Sequence, residues 1–101
     1  MAKLTKVAET TEIAPDQGKV VEAEGKALAV FNCDGTFYAI DNTCLHRGGP
    51  LGEGELDGTI VTCPWHGWRY DVTTGANAMN PAVKVGCYPV KVEGTSVLVE
   101  M

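Results

Sequence analysis

Histidine is scarce in this chain of 101 residues: there are only two, His46 and His66. Aromatic residues make up 7%. No stretch approaches the roughly eighteen consecutive apolar residues that a membrane-spanning helix needs, so no span is expected. Neither a G-x-G-x-x-G nor any other nucleotide-binding pattern occurs, and a chain this short has no room for a flavin or nicotinamide domain. The opening Met1-Ala2-Lys3-Leu4-Thr5-Lys6 lacks both an apolar signal core and twin arginines, which argues against export and for a cytoplasmic location. Positive charge is also short. Eight Lys and Arg against thirteen Asp and Glu leave a formal charge of −5. That balance disfavours nucleic acid and anionic membrane as partners and suits docking on basic patches of other proteins.

What is present reads as one globular domain over residues 1–101, with 45% hydrophobic and 21% charged residues. The apolar residues fall in short stretches separated by turn signals, with no sustained 3.6-residue period. Val20-Val21, Ala27–Phe31, Phe37–Ile40, Thr59–Thr62, Trp68–Val72, Tyr88–Val92 and Val97–Val99 read as strands. Glu24-Gly25, Asp57-Gly58 and Glu93-Gly94 read as turns, and Asp34-Gly35 as the tip of a hairpin. With twelve glycines, the expectation is an all-β, antiparallel architecture. A helical turn is expected within Thr10 to Gln17, no more.

Two short pairs carry the chemistry: Cys44-Leu45-His46 and Cys63-Pro64-Trp65-His66, sixteen residues apart. The pattern C-x-H-x16-C-x-x-H supplies two thiolates and two imidazoles from two loops. Such a set can hold a [2Fe–2S] cluster, with sulfur on one iron and nitrogen on the other. Zinc also takes two cysteines and two histidines in closed tetrahedral sites. Finger spacing pairs like with like, however, whereas here each pair is mixed and flanked by Gly and Pro.

With Gly48-Gly49-Pro50 after the first pair and Gly67 after the second, the motif resembles the Rieske family. That resemblance implies one [2Fe–2S] cluster per chain, held by Cys44, His46, Cys63 and His66. It also implies an antiparallel Rieske fold: a β-sandwich-like base with an inserted cluster-binding subdomain at about residues 42–82. Quinol-oxidising relatives carry an extra cysteine in each loop, forming a disulfide. Those positions are Gly49 and Trp65 here, so the chain is similar to the soluble, Rieske-type ferredoxins of ring-hydroxylating dioxygenase systems. In the high-potential branch a serine and a tyrosine donate hydrogen bonds toward the cluster sulfurs. Trp68 takes the serine position and Tyr70 the tyrosine position, which implies a lower potential. Pro81 is implied to sit in a third loop covering the cluster; its plainer reading is a turn after Asn80.

Other residues have plainer roles. Trp65 and Trp68 read as packing and water exclusion, and Arg47 as a partner contact or a solvated charge. Cys33 and Cys87 read as small buried residues at strand ends, with a disulfide between them as the alternative. Glu53, Glu55 and Asp57 read as a solvated acidic turn.

Once both histidines serve the cluster, no 2-His-1-carboxylate oxygen-activating site can be built. The chain is therefore expected to be an electron-transfer component and not an enzyme. It would be a monomer passing electrons from a flavoprotein reductase to a terminal oxygenase. Two alternatives stand beside this: a Rieske-type small subunit of nitrite reductase, and a zinc-stabilised interaction module.

Overall fold

The computed structural model describes residues 4–43, 49–65 and 67–100. Strand β1 (Leu4–Glu9) leads through a single 3-10 turn at Thr10–Glu12 into β2 (Gln17–Ala23), β3 (Lys26–Cys33) and β4 (Thr36–Asp41). The two-residue turns Glu24-Gly25 and Asp34-Gly35 both lie in the left-handed region, with φ of 50° and 78°, then 53° and 93°. Mirror-type turns of this kind match the right-handed twist of the flanking strands, so β2, β3 and β4 form an antiparallel meander. Short strands follow: β5 (Glu55–Asp57), β6 (Ile60–Thr62), β7 (Arg69–Asp71), β8 (Cys87–Tyr88), β9 (Val90–Glu93) and β10 (Ser96–Glu100). The stretch expected as one strand at Tyr88–Val92 divides at Pro89, which has no N–H to give to a ladder.

Three antiparallel sheets result, ordered β1-β10-β9, β2-β3-β4-β8 and β5-β6-β7. Strand β3 explains how they stack. Leu28, Ala29, Val30 and Phe31 are all fully buried, because both faces of the central sheet are covered. Leu28 and Val30 pack with Ala8, Val97 and Val99 of the first sheet. Ala29 and Phe31 point the other way, onto Leu56, Val61 and Tyr70 of the small sheet and Val72 just after it. Period-two alternation thus sends one strand's residues into two cores. Among the described residues no helix is long and apolar enough to cross a membrane.

Two expectations need correction. Glu53, Glu55 and Asp57 are not simply a solvated turn: Glu55–Asp57 is strand β5, with Leu56 buried between two exposed acids. Backbone pairing with β6 at Leu56 and Val61 outweighs the local charge. Cys87 is exposed and only Cys33 is half-buried, because Cys87 opens β8, the edge of its sheet, rather than an interior strand. Both are free thiols. Cys33 pairs with Thr36 and Cys87 with Ile40, on opposite sides of β4. Four residues of β4 separate them by about 13 Å along the strand alone. A disulfide needs its Cα atoms within about 7 Å, so the register excludes one.

Candidate metal centre

Two loops project from strand ends, and each is closed at its base. The first leaves β4. The Asn42 carbonyl accepts the Leu51 N–H at 2.7 Å, and its side-chain Oδ1 accepts the Gly52 N–H at 2.8 Å. An antiparallel bridge joins Thr43 to Pro50, so the two ends of the first loop are held together. A second 3-10 turn, Leu51–Glu53, follows and buries Leu51. The second loop leaves β6: the Cys63 N–H donates to the Trp68 carbonyl at 2.6 Å. That bond closes a four-residue loop, and Gly67 takes φ of 77° within it.

The loops meet at Gly49. A Cβ placed there would lie 2.7 Å from Cys63 Sγ and 3.1 Å from Trp65 Cβ. Only glycine lets the first loop approach the second this closely. The two positions that carry the extra cysteines in quinol-oxidising relatives are therefore neighbours in space, yet neither is cysteine here. Gly54 makes a comparable approach, its α-carbon facing the Thr62 carbonyl just before Cys63.

Of the sequence-predicted site residues, Cys63 is 1% exposed and packs with Tyr70, Leu51 and Phe31. Tyr70 is fully buried on β7, opposite Val61. Trp68 is half-buried against the same core, as expected for packing. Trp65, at 50% exposure, stands open to solvent on its outer side. Pro81 is exposed in a turn after Asn80, where the Val83 N–H donates to the Asn80 carbonyl at 2.9 Å. Cys44, His46, His66 and the neighbouring Arg47 lie outside the described residues.

Residues that the motif does not mark complete the surroundings. Asp41 ends β4: its Oδ2 accepts the Gly86 N–H at 2.9 Å and its Oδ1 accepts the Tyr88 hydroxyl at 2.6 Å. This clasp ties the entry of the first loop to β8. Partial burial, then the bond to Asp41, push the Tyr88 phenol up to about 12. Asn77 is buried, and its Oδ1 accepts the Met79 and Asn80 N–H groups at 2.8 and 3.1 Å. A signal for both Asn42 and Asn77 exists in the chain, since asparagine side chains commonly cap turns.

The arrangement fits a [2Fe–2S] cluster. A thiolate is required as ligand, and Cys63 offers a thiol shielded from water where two pre-closed loops touch. Such a cluster, when bound, takes up and releases one electron.

Comparison with known proteins agrees with this geometry. The family model for the Rieske [2Fe–2S] domain matches residues 3–89. The ferredoxin component of the naphthalene 1,2-dioxygenase system of Pseudomonas aeruginosa is 39% identical over 82 residues, covering 80% of this chain and 79% of that protein. The solved complex of reduced oxygenase and oxidized ferredoxin in carbazole 1,9a-dioxygenase contains a chain of 36% identity and TM-score 0.86, over 95% of this chain and 91% of that one. A chain assigned as an NADH-dependent nitrite reductase small subunit from Mycobacterium tuberculosis superposes with TM-score 0.91 over 100% of this chain and 96% of that one. Its identity is 22%, which supports the shared fold alone. The chain belongs to the Rieske [2Fe–2S] family.

Proposed function

We propose that this protein is a soluble, cytoplasmic, monomeric one-electron carrier. It passes electrons from a flavoprotein reductase to the terminal oxygenase of a ring-hydroxylating dioxygenase system and catalyses no reaction itself. Cys44 and Cys63 would hold one iron of a Rieske-type [2Fe–2S] cluster and His46 and His66 the other. The observation that carries this reading is the contact of the first loop, at Gly49, with the Cys63 sulfur. That contact sets the described end of the first loop against Cys63, which supports a cluster shared by the two loops. Residues 42–82 then act as the cluster-binding subdomain.

The chain's own residues hold and shield the cluster. The Cys63–Trp68 backbone bond and the Thr43–Pro50 bridge hold the loop bases through backbone contacts that do not involve the ligand side chains. This lowers the ordering that the ligands require. Buried Tyr70 and Leu51 exclude water from the inner side of Cys63, while Trp65 leaves the outer side open. Trp68 and Tyr70 tune the sulfur environment, and Pro81 stands at the outer turn.

The dioxygenase reading is favoured over nitrite reduction because identity is 39% to a dioxygenase ferredoxin component and 22% to the nitrite reductase subunit. Purified protein should contain two irons and two sulfides per chain and show a rhombic EPR signal with low average g on reduction. A colourless protein holding one zinc would return the zinc-module reading. Reconstitution with the native reductase and oxygenase, scored by product formed, tests the place in the chain of carriers.

A further inference from the structure

Charge is divided across the loop that carries Cys63. In the sheet row before it, Thr62 pairs with Glu55 on one side and Arg69 on the other. Both flanking residues are exposed. Paired residues in one row point to the same face. Asp57 extends the acidic edge along β5, with Glu53 just before the strand, whereas residues 72–86 contain no Asp or Glu and include Lys84. Asp71, two residues after Arg69 and just before that stretch, is turned onto Thr73. Its Oδ1 accepts the Thr73 N–H at 2.9 Å and the Thr73 hydroxyl at 2.6 Å. One flank of the loop is therefore cationic, although the whole protein carries −5.

The cationic flank also holds a recess of about 320 Å³ lined by Trp68, Arg69, Asn77, Met79, Asn80 and Val83. Its walls are preformed. Asn77 braces the outer turn through the Met79 and Asn80 N–H groups, and the Ala78 N–H donates to the Arg69 carbonyl at 2.8 Å. Met79 is nevertheless 80% exposed. A methionine held out beside a half-buried tryptophan offers polarizable, adaptable apolar surface to a partner.

We infer that this recess anchors the redox partner: an apolar side chain of the partner enters between Trp68 and Met79 while an adjacent carboxylate pairs with Arg69. The inference rests on the proposed electron-carrier function. It names the partner's chemistry as apolar and acidic, the opposite of the basic patch that net charge alone suggests.

Two variants separate location from net charge. Arg69→Glu and Lys91→Glu each take the formal charge from −5 to −7, but Lys91 lies on β9 of another sheet. In stopped flow the reduced protein gives one electron to ferricyanide, which becomes ferrocyanide. At low salt Arg69→Glu should slow this by about threefold or more and Lys91→Glu far less, with the difference screened out at high salt. The carboxylate 4-phenylbutyrate, which joins an apolar ring to an anion, should inhibit the wild type more than acetate at equal ionic strength. Met79→Ser and Arg69→Glu should each abolish that excess. Equal slowing by the two charge reversals, or equal inhibition by the two carboxylates, overturns the anchor site. A wild type without the reducible EPR signal overturns the electron-carrier function instead, so the two failures are distinct.

Discussion

Gly49 stands directly against Cys63, so close that a Cβ on the glycine would lie 2.7 Å from the cysteine sulfur. The same Cβ would meet Trp65 Cγ at 3.0 Å. The missing side chain is thus a condition for the first loop to approach the second this closely. Gly49→Ala must shift either the sulfur or the first loop. Overpacking of this kind costs about 1–3 kcal/mol. The expected outcome is a lower melting temperature together with fewer irons per chain. Gly58→Ala, at a turn where a Cβ meets nothing within 4 Å, should keep its full iron content. Equal iron content in the two variants would show that the close approach does not matter.

Removing a ligand should remove the cluster. Cys44→Ser, His46→Ala, Cys63→Ser and His66→Ala are each expected to abolish intact [2Fe–2S], because a site built from four donors has no spare one. Cys33→Ala and Cys87→Ala should leave it in place, since one is half-buried at the end of β3 and the other exposed at a sheet edge. Iron and acid-labile sulfide assays decide. A fully loaded Cys63→Ser beside a colourless Cys87→Ala would reverse the assignment.

The reduction potential should fall in the lower part of the Rieske range, about −150 to +75 mV near neutral pH. Trp68 offers no hydroxyl at the serine position, and Gly49 beside Trp65 forms no disulfide between the loops. Tyr70 is fully buried one strand over from Val61, and Tyr70→Phe should lower the potential further. Film voltammetry measures both; a wild-type value near the top of the range would contradict the argument.

Alkaline stability should depend on Tyr88. Partial burial first, and then the hydrogen bond and charge of Asp41, raise its phenol from 10 to about 12. Lys26 lies over the ring at 5.7 Å, and its cation does not reverse that direction. The folded state keeps a proton that the unfolded chain releases near 10. The stabilisation is therefore complete below pH 10 and lost as pH rises from 10 to about 12. Tyr88→Phe should be less stable at neutral pH and should lose less across that window. Denaturant titrations of both proteins at several alkaline pH values test this. Parallel losses would mean that another group controls the alkaline limit.

Much of this protein was legible in its sequence, because the relevant physics is local. Asp34-Gly35 and Glu24-Gly25 can adopt the left-handed pairs that a two-residue hairpin needs, and they do so wherever they sit. The Rieske [2Fe–2S] family was legible in the mixed Cys/His pairs, because donor type and spacing are written in two short segments. The helical turn at Thr10–Glu12 was legible for the same reason, whereas the second one, at Leu51–Glu53, was not expected.

Only the tertiary structure decided what depends on distant pairing. Glu55–Asp57 is a strand because Thr62, Val61 and Ile60 complete its ladder, a partner that a run of acids does not announce. Cys87 is exposed because its register with Ile40 puts it on an edge, whereas its composition class suggested burial. Gly49 looks like one glycine among twelve until the second loop brings Cys63 against it. Likewise Met79, Trp68 and Arg69 form one recess only because Asn77 folds the outer turn back onto β7. Turn chemistry and ligand identity belong to single short segments. Burial, edges and close approaches belong to pairs of segments, and their contacts exist only once the sheets have stacked.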